Sequence, residues 1–364
     1  MDKILVGLVL ATLLVGMLAL AFGVQAVKAS GTIYIGADGS IDPPTAPIQR
    51  NGNVYTLTGN ITSDADGIVV KRDNIVVDGS GFTVEGLRAG SSDGIYLDGR
   101  SNVTIQNTNI KNFSDGIVLE SSSNNSINGN NITNNNYYGI RLGSSSNNSI
   151  NGNNITNNNY YGIQLYDSSN YNSIGGNNIT DNSDGIELYD SSNYNSISGN
   201  TITSSSGYGV RLIWHSDNNG IIENNITNNY GGIWLESSSN YNSISENNIT
   251  NNNYGIGLGH SSNNTVCHNN FIDNTVQVND WTPEYPNFWD NGGEGNYWSN
   301  YNGTDVNRDG IGDTPFIIEV NSTDRYPLMS IIPEFPSLLI PALFMTATLS
   351  AVIVHRKRTR SQSC

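Results

Sequence analysis

The segment Ser126–Ile140, SINGNNITNNNYYGI, recurs without a change at Ser149–Ile163, 23 residues later. Asn is its most frequent residue, a composition that is typical of unstructured polar chain. The repeat nevertheless continues far beyond these two copies, because a Gly followed by Ile or Val returns every 22 to 27 residues. This Gly occupies positions 67, 94, 116, 139, 162, 185, 209, 232 and 255.

Each repeat contains three short apolar stretches separated by Ser, Asn and Gly. The I-x-L alternation after the Gly is typical of a β-strand, and no stretch is long enough for an ordinary helix. A propeller blade would need about twice this period, and a leucine-rich repeat has a different pattern of Leu and Asn. We therefore predict an all-β chain: a single-stranded right-handed parallel β-helix of about 9–10 coils, each of about 23 residues, around stacked Ile, Leu and Val.

The Asn residues have two predicted roles in such a solenoid. Sharp bends between sheets require left-handed backbone angles, which Gly and Asn tolerate best. Identical amides at one level of each coil can also hydrogen-bond to one another along the stack, at a spacing of about 4.8 Å. We expect such a ladder at Asn130, Asn153, Asn177, Asn224, Asn247 and Asn269.

Composition and the N-terminus indicate an extracellular protein. The net charge of −16 argues against nucleic-acid binding, which requires clustered Lys and Arg. Two Cys residues imply no disulfide framework. Lys3, an apolar run to about Phe22 and the small residues of GVQAVKAS predict a signal peptide at 1–29, with an uncleaved membrane anchor as the alternative.

The C-terminal residues 331–364 predict a second membrane-directed segment. The apolar run Leu338–Val354 is followed by the basic HRKRTR, which we expect to remain cytoplasmic. With PEFPS just before it, this tail resembles the PEF-type sorting signals that archaeosortases process. The resemblance implies an archaeal surface protein whose tail is cut and replaced by an anchor. The alternative is a permanent transmembrane helix.

The body of the chain resembles a known family. The repeat GIxL…SSxNxSIxGNxIxNN is followed by NNTVCHNNFIDN (263–274) and GNYWSNYNGTDVNRDGIGDTPFIIEVNSTDRYPLM (295–329). Both parts are similar to NosD-type periplasmic and archaeal surface proteins, which share a module with carbohydrate-binding proteins and sugar hydrolases. For NosD the resemblance implies a role in maturing the copper site of nitrous oxide reductase. We predict an N-terminal cap at 30–54, β-helix repeats at 55–278 and an aromatic, Asp-rich cap at 279–330.

One loop of the cap has the spacing of a calcium site. DVNRDGIGD places oxygen-bearing side chains at alternate positions around Gly310, which is the arrangement that Ca²⁺ prefers. Position 12 is Phe316 rather than Glu, so the loop departs from an EF-hand, and an Asx-turn hairpin without an ion is the alternative. The predicted ligands of a structural Ca²⁺ are Asp305, Asn307, Asp309 and Asp313.

A glycan-binding face is predicted where the repeats differ from one another. The residue between Ile and Leu of each coil points outward and varies, and aromatic residues follow the Leu in several coils. Aromatic rings beside Arg, Gln and Glu suit sugar rings, although a purely solvated face is the alternative. The predicted binding residues are Arg141, Gln164, Tyr166, Glu187, Tyr189, Arg211 and Trp234, with Trp214 and His215 nearby.

The sequence also contains candidate residues for catalysis and for copper binding. Asp167, Glu187, Asp190 and Arg211 could form a carboxylate site of the kind that acts on acidic polysaccharide. Both Asp residues, however, belong to the copied phrase YDSSNYNSI, and no local motif of such enzymes is present. The soft copper ligands available are His215, His260, Cys267 and His268, without Met-rich or Cys-x-x-Cys patterns, so we do not expect copper.

The leading prediction is an extracellular, membrane-anchored module of the cell envelope that binds polysaccharide. An enzyme acting on an acidic glycan and a NosD-like copper accessory protein are the alternatives. Several N-x-S/T sequons predict glycosylation, and those at Asn302 and Asn321 in the cap are more accessible than those in the repeat turns.

Overall fold

The computed structural model describes residues 31–88, 90–319 and 322–333. The predicted signal peptide, the predicted tail helix and the sequon residue Asn321 lie outside these ranges. Within them every regular element is a β-strand, and no helix there is long and apolar enough to cross a membrane. The all-β prediction is thus confirmed for the described part of the chain.

The N-terminal third contains β1 (Ile33–Ile35), β2 (Ile41–Asp42), β3 (Ile48–Asn51), β4 (Val54–Leu57), β5 (Ile61–Ser63), β6 (Ile68–Val70), β7 (Ile75–Asp78), β8 (Thr83–Gly86), β9 (Asp93–Asp98), β10 (Val103–Gln106), β11 (Asn109–Lys111) and β12 (Asp115–Glu120). The middle contains β13 (Ser126–Asn128), β14 (Asn131–Thr133), β15 (Ile140–Gly143), β16 (Ser149–Asn151), β17 (Asn154–Thr156), β18 (Tyr161–Tyr166), β19 (Ser173–Gly175), β20 (Asn178–Thr180), β21 (Asp184–Tyr189), β22 (Ser196–Ser198), β23 (Thr201–Thr203) and β24 (Tyr208–Ile213). The C-terminal part contains β25 (Gly220–Ile222), β26 (Asn225–Thr227), β27 (Gly231–Glu236), β28 (Ser243–Ser245), β29 (Asn248–Thr250), β30 (Tyr254–Gly259), β31 (Thr265–Cys267), β32 (Asn270–Ile272), β33 (Val276–Asp280), β34 (Tyr297–Trp298), β35 (Phe316–Glu319) and β36 (Ser322–Asp324).

Strands β1–β34 form three long sheets that wind into a right-handed parallel solenoid of about 11 coils, and β35 and β36 form a separate two-stranded antiparallel sheet. Sheet A runs β2-β1-β6-β9-β12-β15-β18-β21-β24-β27-β30-β33 and contains the G-I-x-L segments. Sheet B runs from β3 to β31 and sheet C from β5 to β34. The predicted β-helix is confirmed, with more coils than the 9–10 expected, because two strands of sheet A, Ile33–Ile35 and Val276–Asp280, lack the Gly-Ile signature.

The core is a stack of identical side chains in register. Ile127, Ile150, Ile174 and Ile197 pair along sheet B and are fully buried, and the Ile and Leu positions of sheet A repeat this pattern. A short strand cannot bury its apolar face alone, so each coil depends on the coils above and below.

Close packing between coils requires the signature Gly, which is the Gly that precedes Ile or Val in each repeat. A Cβ added to Gly162 would overlap with the Ile179 side chain and with the carbonyl oxygen of Gly185 in the next coil. Gly139 and Gly185 have equivalent neighbours. The Gly-Ile spacing therefore marks the place in each coil where the backbones approach too closely for a side chain.

The predicted Asn ladder is confirmed. The Asn130 amide donates to the Asn153 side-chain oxygen at 3.0 Å, and Asn153 donates to Asn177 at the same distance. Sequence analysis did not predict two further ladders, one at the bend into sheet A and one between sheets A and B. The ladder at the bend into sheet A includes Asn135, Asn158, Asn182, Asn229, Asn252 and Asn274. The ladder between sheets A and B includes Asn148, Asn172, Asn195, Asn219, Asn242 and Asn264.

An aromatic cluster closes the C-terminal end. The rings of Phe271, Trp298 and Phe316 stack in sequence, with centroids 4.4 and 4.6 Å apart. The Trp298 indole donates to the buried Asp324 carboxylate at 2.8 Å, and Arg325 pairs with Asp290. The last coil thereby buries its core against rings rather than against another coil.

Candidate functional site on the outer face of sheet A

The outer face of sheet A carries three columns of side chains that are aligned from coil to coil. The first column precedes the signature Gly and includes Asp93, Asp115, Tyr138, Tyr161, Asp184 and Tyr208. The central column, which was predicted, includes Tyr96, Val118, Arg141, Gln164, Glu187, Arg211, Trp234 and Gly257. The third follows the Leu and includes Asp98, Glu120, Gly143, Tyr166, Tyr189, Ile213 and Glu236.

Arg141 lies between two tyrosine rings. Its guanidinium carbon is 4.4 Å from the Tyr166 ring centroid and 5.4 Å from that of Tyr138. The Tyr166 hydroxyl donates to Glu120 Oε1 at 2.5 Å, two coils away. Gly143 makes this bond possible, because a Cβ there would overlap with both Glu120 and Tyr166.

The Arg141 guanidinium donates no hydrogen bond to any described residue. Its nearest carboxylate atom is Asp115 Oδ2, 3.9 Å from Nη1, and its buried Nε has no partner. A guanidinium presents five N–H donors in a fixed planar arrangement that fits a carboxylate. Arg141 therefore has hydrogen-bonding capacity toward an acidic group brought from outside.

A pair of acidic side chains borders Arg141. Asp93 and Asp115 are register partners on the adjacent parallel strands β9 and β12. Burial raises the pKa of Asp93 to about 7, assisted by the negative charges of Asp115 and Asp66. Burial also raises the pKa of Asp115 to about 6, although the Tyr138 amide and Arg141 oppose the shift. One of these carboxyls is therefore protonated over much of the mildly acidic range.

A second network centres on Glu187 and Arg211. Glu187 is only 2% exposed and accepts a hydrogen bond from Gln164 at 2.7 Å. Arg211 contacts Glu187 at 3.6 Å and binds Glu236 at 2.9 Å. Burial raises the pKa of Glu187, while Gln164 and Arg211 counter this effect. Three of the predicted binding residues are therefore brought together, but they mainly satisfy one another.

The C-terminal part of the face is aromatic. The Trp234 indole stacks between Tyr208 and Trp281, with centroid distances of 4.6 and 4.7 Å, and its Nε1 donates to Glu236. Trp234 is 9% exposed, so most of its ring is covered by these neighbours. Tyr189 instead lies beside the exposed Trp214, with centroids 6.2 Å apart.

The predicted catalytic carboxylates do not converge. Asp167 and Asp190 are exposed at the corner after sheet A, with left-handed backbone angles of 51° and 48°. Asp167 accepts a hydrogen bond from Ser144, and among the described residues neither Asp binds Glu187 or Arg211. Sequence reasoning missed Asp93, Asp115 and Tyr138, for which the signal was the alternation of Asp and Tyr before the signature Gly.

Two family matches cover most of the solenoid. "Right handed beta helix region" matches residues 60–226, and "Periplasmic copper-binding protein (NosD)" matches residues 181–303. Together with the parallel solenoid, these matches decide the type of protein. The chain is a right-handed parallel β-helix repeat protein, and its residues 181–303 are NosD-like.

Several solved structures are similar to this β-helix protein at low sequence identity. Dettilon tailspike protein matches with a TM-score of 0.54 and 15% identity, covering 70% of this chain and 61% of the other. A double mutant of the periplasmic alginate epimerase AlgG matches with a TM-score of 0.49 and 18% identity, covering 68% of this chain and 70% of the other. The mannuronan C-5 epimerase AlgE6 A-module of Azotobacter vinelandii matches with a TM-score of 0.46 and 16% identity, covering 65% of this chain and 87% of the other. No curated protein matches in sequence.

The predicted calcium loop is held by its own hydrogen bonds. Asp305 accepts from the amides of Arg308 and Gly310, Asn307 donates to Asp309, and Asp313 accepts from the Val306 amide. Within the described ranges, no group of three or more His, Cys, Asp or Glu side chains is arranged to hold a metal. Calcium binding by Asp305, Asn307, Asp309 and Asp313 stays a prediction.

The three candidate copper-binding His residues of the β-helix protein each have different neighbours. His268 Nε2 lies 2.6 Å from Glu294 Oε2, His260 packs against Tyr285, and His215 is exposed. Burial raises the pKa of the Cys267 thiol, which disfavours the thiolate that binds copper.

Proposed function

We propose that this β-helix protein is an extracellular component of the cell envelope that binds acidic polysaccharide on the outer face of sheet A. The observation that carries the proposal is the Arg141 guanidinium, whose donors lack hydrogen bonds within the described chain. A uronate carboxylate can accept two parallel hydrogen bonds from such a group.

The surroundings of Arg141 suit a sugar polymer. Tyr138 and Tyr166 provide ring surface on either side of the guanidinium, and Tyr189 and Trp214 provide more farther along the solenoid. Coils lie about 4.8 Å apart, so Arg141 and Arg211, three coils distant, are separated by roughly 14 Å, about the length of a trisaccharide. The face therefore offers repeated contacts to a linear chain.

Binding to this face has an expected pH dependence. Ionised Asp93 and Asp115 compete with the ligand for Arg141 and repel its carboxylate. Since the pKa of Asp93 is raised to about 7, lowering the pH from 8 to 6 neutralises this charge while a uronate stays ionised. We expect tighter binding at pH 6 than at pH 8.

The test is titration with polygalacturonate and alginate oligosaccharides, using neutral cellohexaose as the uncharged probe. The variant Arg141→Gln removes the charge, and we expect it to weaken acidic-ligand binding by about tenfold or more. Arg88→Gln is the matched control, because Arg88 is exposed and its guanidinium already hydrogen-bonds Asn112. Equal affinity of Arg141→Gln and the parent for both acidic probes would contradict the proposal.

A second candidate function is an enzyme acting on the same acidic polysaccharide. The favouring observation is the Asp93–Asp115 pair beside Arg141, because a carboxyl with a pKa near 7 can transfer protons at neutral pH. New chain ends released from polygalacturonate or alginate by the parent, and lost in Asp93→Asn, would support catalysis. Binding without product release supports the binding module alone.

The family match motivates a third candidate, a copper accessory role. The matching description is a periplasmic copper-binding protein, and residues 181–303 include His215, His260, Cys267 and His268. Titration of the protein with Cu(I) and Cu(II), with His268→Ala and Cys267→Ser as variants, tests this role. Stoichiometric binding that both variants weaken would favour it.

Anchoring is part of the proposed envelope location. Signal-peptide removal near residue 29 and C-terminal processing near PEFPS predict a mature protein shorter at both ends. Intact mass measurement of the protein recovered from membranes tests both cleavages. A mass equal to that of all 364 residues would contradict them.

A further inference from the structure

An exposed row of side chains follows the corner between sheets A and B. One residue per coil takes a left-handed conformation there, and its amide donates to the carbonyl of the next coil, as in Tyr171 to Asn193 and Tyr194 to Asp217. The row consists of Asn124, Asn147, Tyr171, Tyr194, Asn218, Tyr241 and Asn263.

Three coils place a tyrosine where the backbone favours Asn. Tyr171, Tyr194 and Tyr241 have φ angles of 57°, 58° and 58°, a region that Asn enters far more readily than bulky residues do. They are 59%, 52% and 60% exposed, so they contribute little to the core. Unfavourable backbone conformations of this kind concentrate at functional positions.

The tyrosines form an interrupted stack. Tyr171 and Tyr194 lie on adjacent coils with ring centroids 5.1 Å apart and planes inclined by 5°. The next position is Asn218, and Tyr241 follows it, so Tyr194 and Tyr241 are separated by two coil steps, about 10 Å. This distance admits one ring at about 5 Å from each tyrosine, within the normal range for stacking.

Polar side chains form the base of this gap. The Asn193 side-chain oxygen accepts from the Asp217 amide, and Asp217 Oδ1 accepts from the Asn240 amide, so both side chains lie between the coils concerned. Asp217 Oδ2 accepts no hydrogen bond from any described residue. The exposed side-chain amide of Asn218 likewise forms no hydrogen bond with the described residues.

We propose that the gap between Tyr194 and Tyr241 binds one neutral sugar ring, at a site separate from the face of sheet A. The two tyrosines contact the faces of the ring, and Asp217 and Asn218 hydrogen-bond its hydroxyls. The Asp217 carboxylate accepts hydrogen bonds from hydroxyl groups but repels an acidic sugar. This preference is opposite to that of Arg141.

Isothermal titration of the full chain with cellohexaose and β-1,4-mannohexaose tests the site. We expect weak binding of at least one probe, reduced about three- to tenfold in Tyr194→Asn and in Tyr241→Asn. Asn is the native residue of this row in other coils, so both variants should fold. Asn218→Tyr completes the stack, fills the gap and should abolish binding.

Asn147→Tyr is the matched control for Asn218→Tyr. It adds a tyrosine at the equivalent position next to Tyr171, outside the gap, and should leave the affinity unchanged. Thermal unfolding of each variant verifies folding. The proposal is overturned if the parent binds neither hexasaccharide, or if Asn218→Tyr binds as well as Asn147→Tyr.

Discussion

Gly257 lies beneath the indole ring of Trp234 on the adjacent coil of sheet A. A Cβ at position 257 would overlap with three atoms of this ring. Gly257→Ala must therefore displace Trp234 from its stack between Tyr208 and Trp281. We expect a loss of about 1–3 kcal/mol in the free energy of unfolding, measured by chemical denaturation.

Two further variants make this prediction specific. Gly220→Ser is the control, because the register partners of Gly220 are Ser196 and Ser243 and the described atoms nearest to its Cβ position, those of Ile222, are no closer than 3.4 Å. In a Trp234→Ala background, Gly257→Ala should lower the free energy of unfolding by much less, because the ring that its Cβ would overlap is absent. Equal costs in both backgrounds would refute the steric explanation.

The buried Asn ladder should be indispensable for stability. The Asn177 amide nitrogen donates to Ile150 O and to Asn200, and its oxygen accepts from Asn153, all at 2.9 or 3.0 Å. Asn177→Ala leaves these groups unpaired inside the protein, so we expect a loss of about 2–4 kcal/mol. Chemical denaturation measures it.

The neighbouring Asn178 provides the control for the ladder. Its side chain is exposed, and the register partner in the next coil is Thr201. Asn178→Thr should change the free energy of unfolding by less than about 0.5 kcal/mol. Similar losses in both variants would show that burial within the ladder is not the cause.

The sequence predicted the solenoid because the fold repeats a local rule. The close approach at Gly162 and the buried stack of Ile127 and Ile150 recur in each coil, so their residue types return at a fixed interval. The Asn130 ladder is predictable for the same reason. Periodicity thus identifies positions whose surroundings are identical in every coil.

The candidate site was less predictable because its contacts are not periodic. The bond from Tyr166 to Glu120 spans two coils and depends on the missing side chain at Gly143. The burial of Glu187 results from the particular neighbours Gln164 and Arg211. Such relationships depend on which side chains follow one another along a column, and the repeat does not specify this.

Calcium should stabilise the C-terminal cap if the predicted loop binds it. Ca²⁺ bound by Asp305, Asn307, Asp309 and Asp313 would raise the melting temperature by mass action. We expect a rise of several degrees in millimolar Ca²⁺ relative to EDTA, and none in Asp309→Asn. Asp273→Asn, which alters an exposed carboxylate outside the loop, is the control. An identical melting temperature of the parent in Ca²⁺ and EDTA would contradict the prediction.

The half-buried Asp93 should make stability fall as the pH rises. Its pKa in the folded protein is about 7, against an ordinary value of 3.8, so the folded state binds a proton more tightly than the unfolded state. This contribution is complete below about pH 4 and is lost as the pH rises to about 7. Asp93→Asn cannot ionise, so at pH 8 it should melt about 3 °C above the parent, whereas at about pH 4 the two should agree.

The control is Asp98→Asn, which changes an exposed carboxylate on the same strand. It should leave the slope of melting temperature against pH unaltered. Asp115→Asn should have an intermediate effect, because it removes both its own raised pKa and part of the charge that raises that of Asp93. If Asp93→Asn and the parent have parallel plots of melting temperature against pH between pH 4 and pH 8, folding does not raise the pKa of Asp93, and the proposed pH dependence at Arg141 loses its basis.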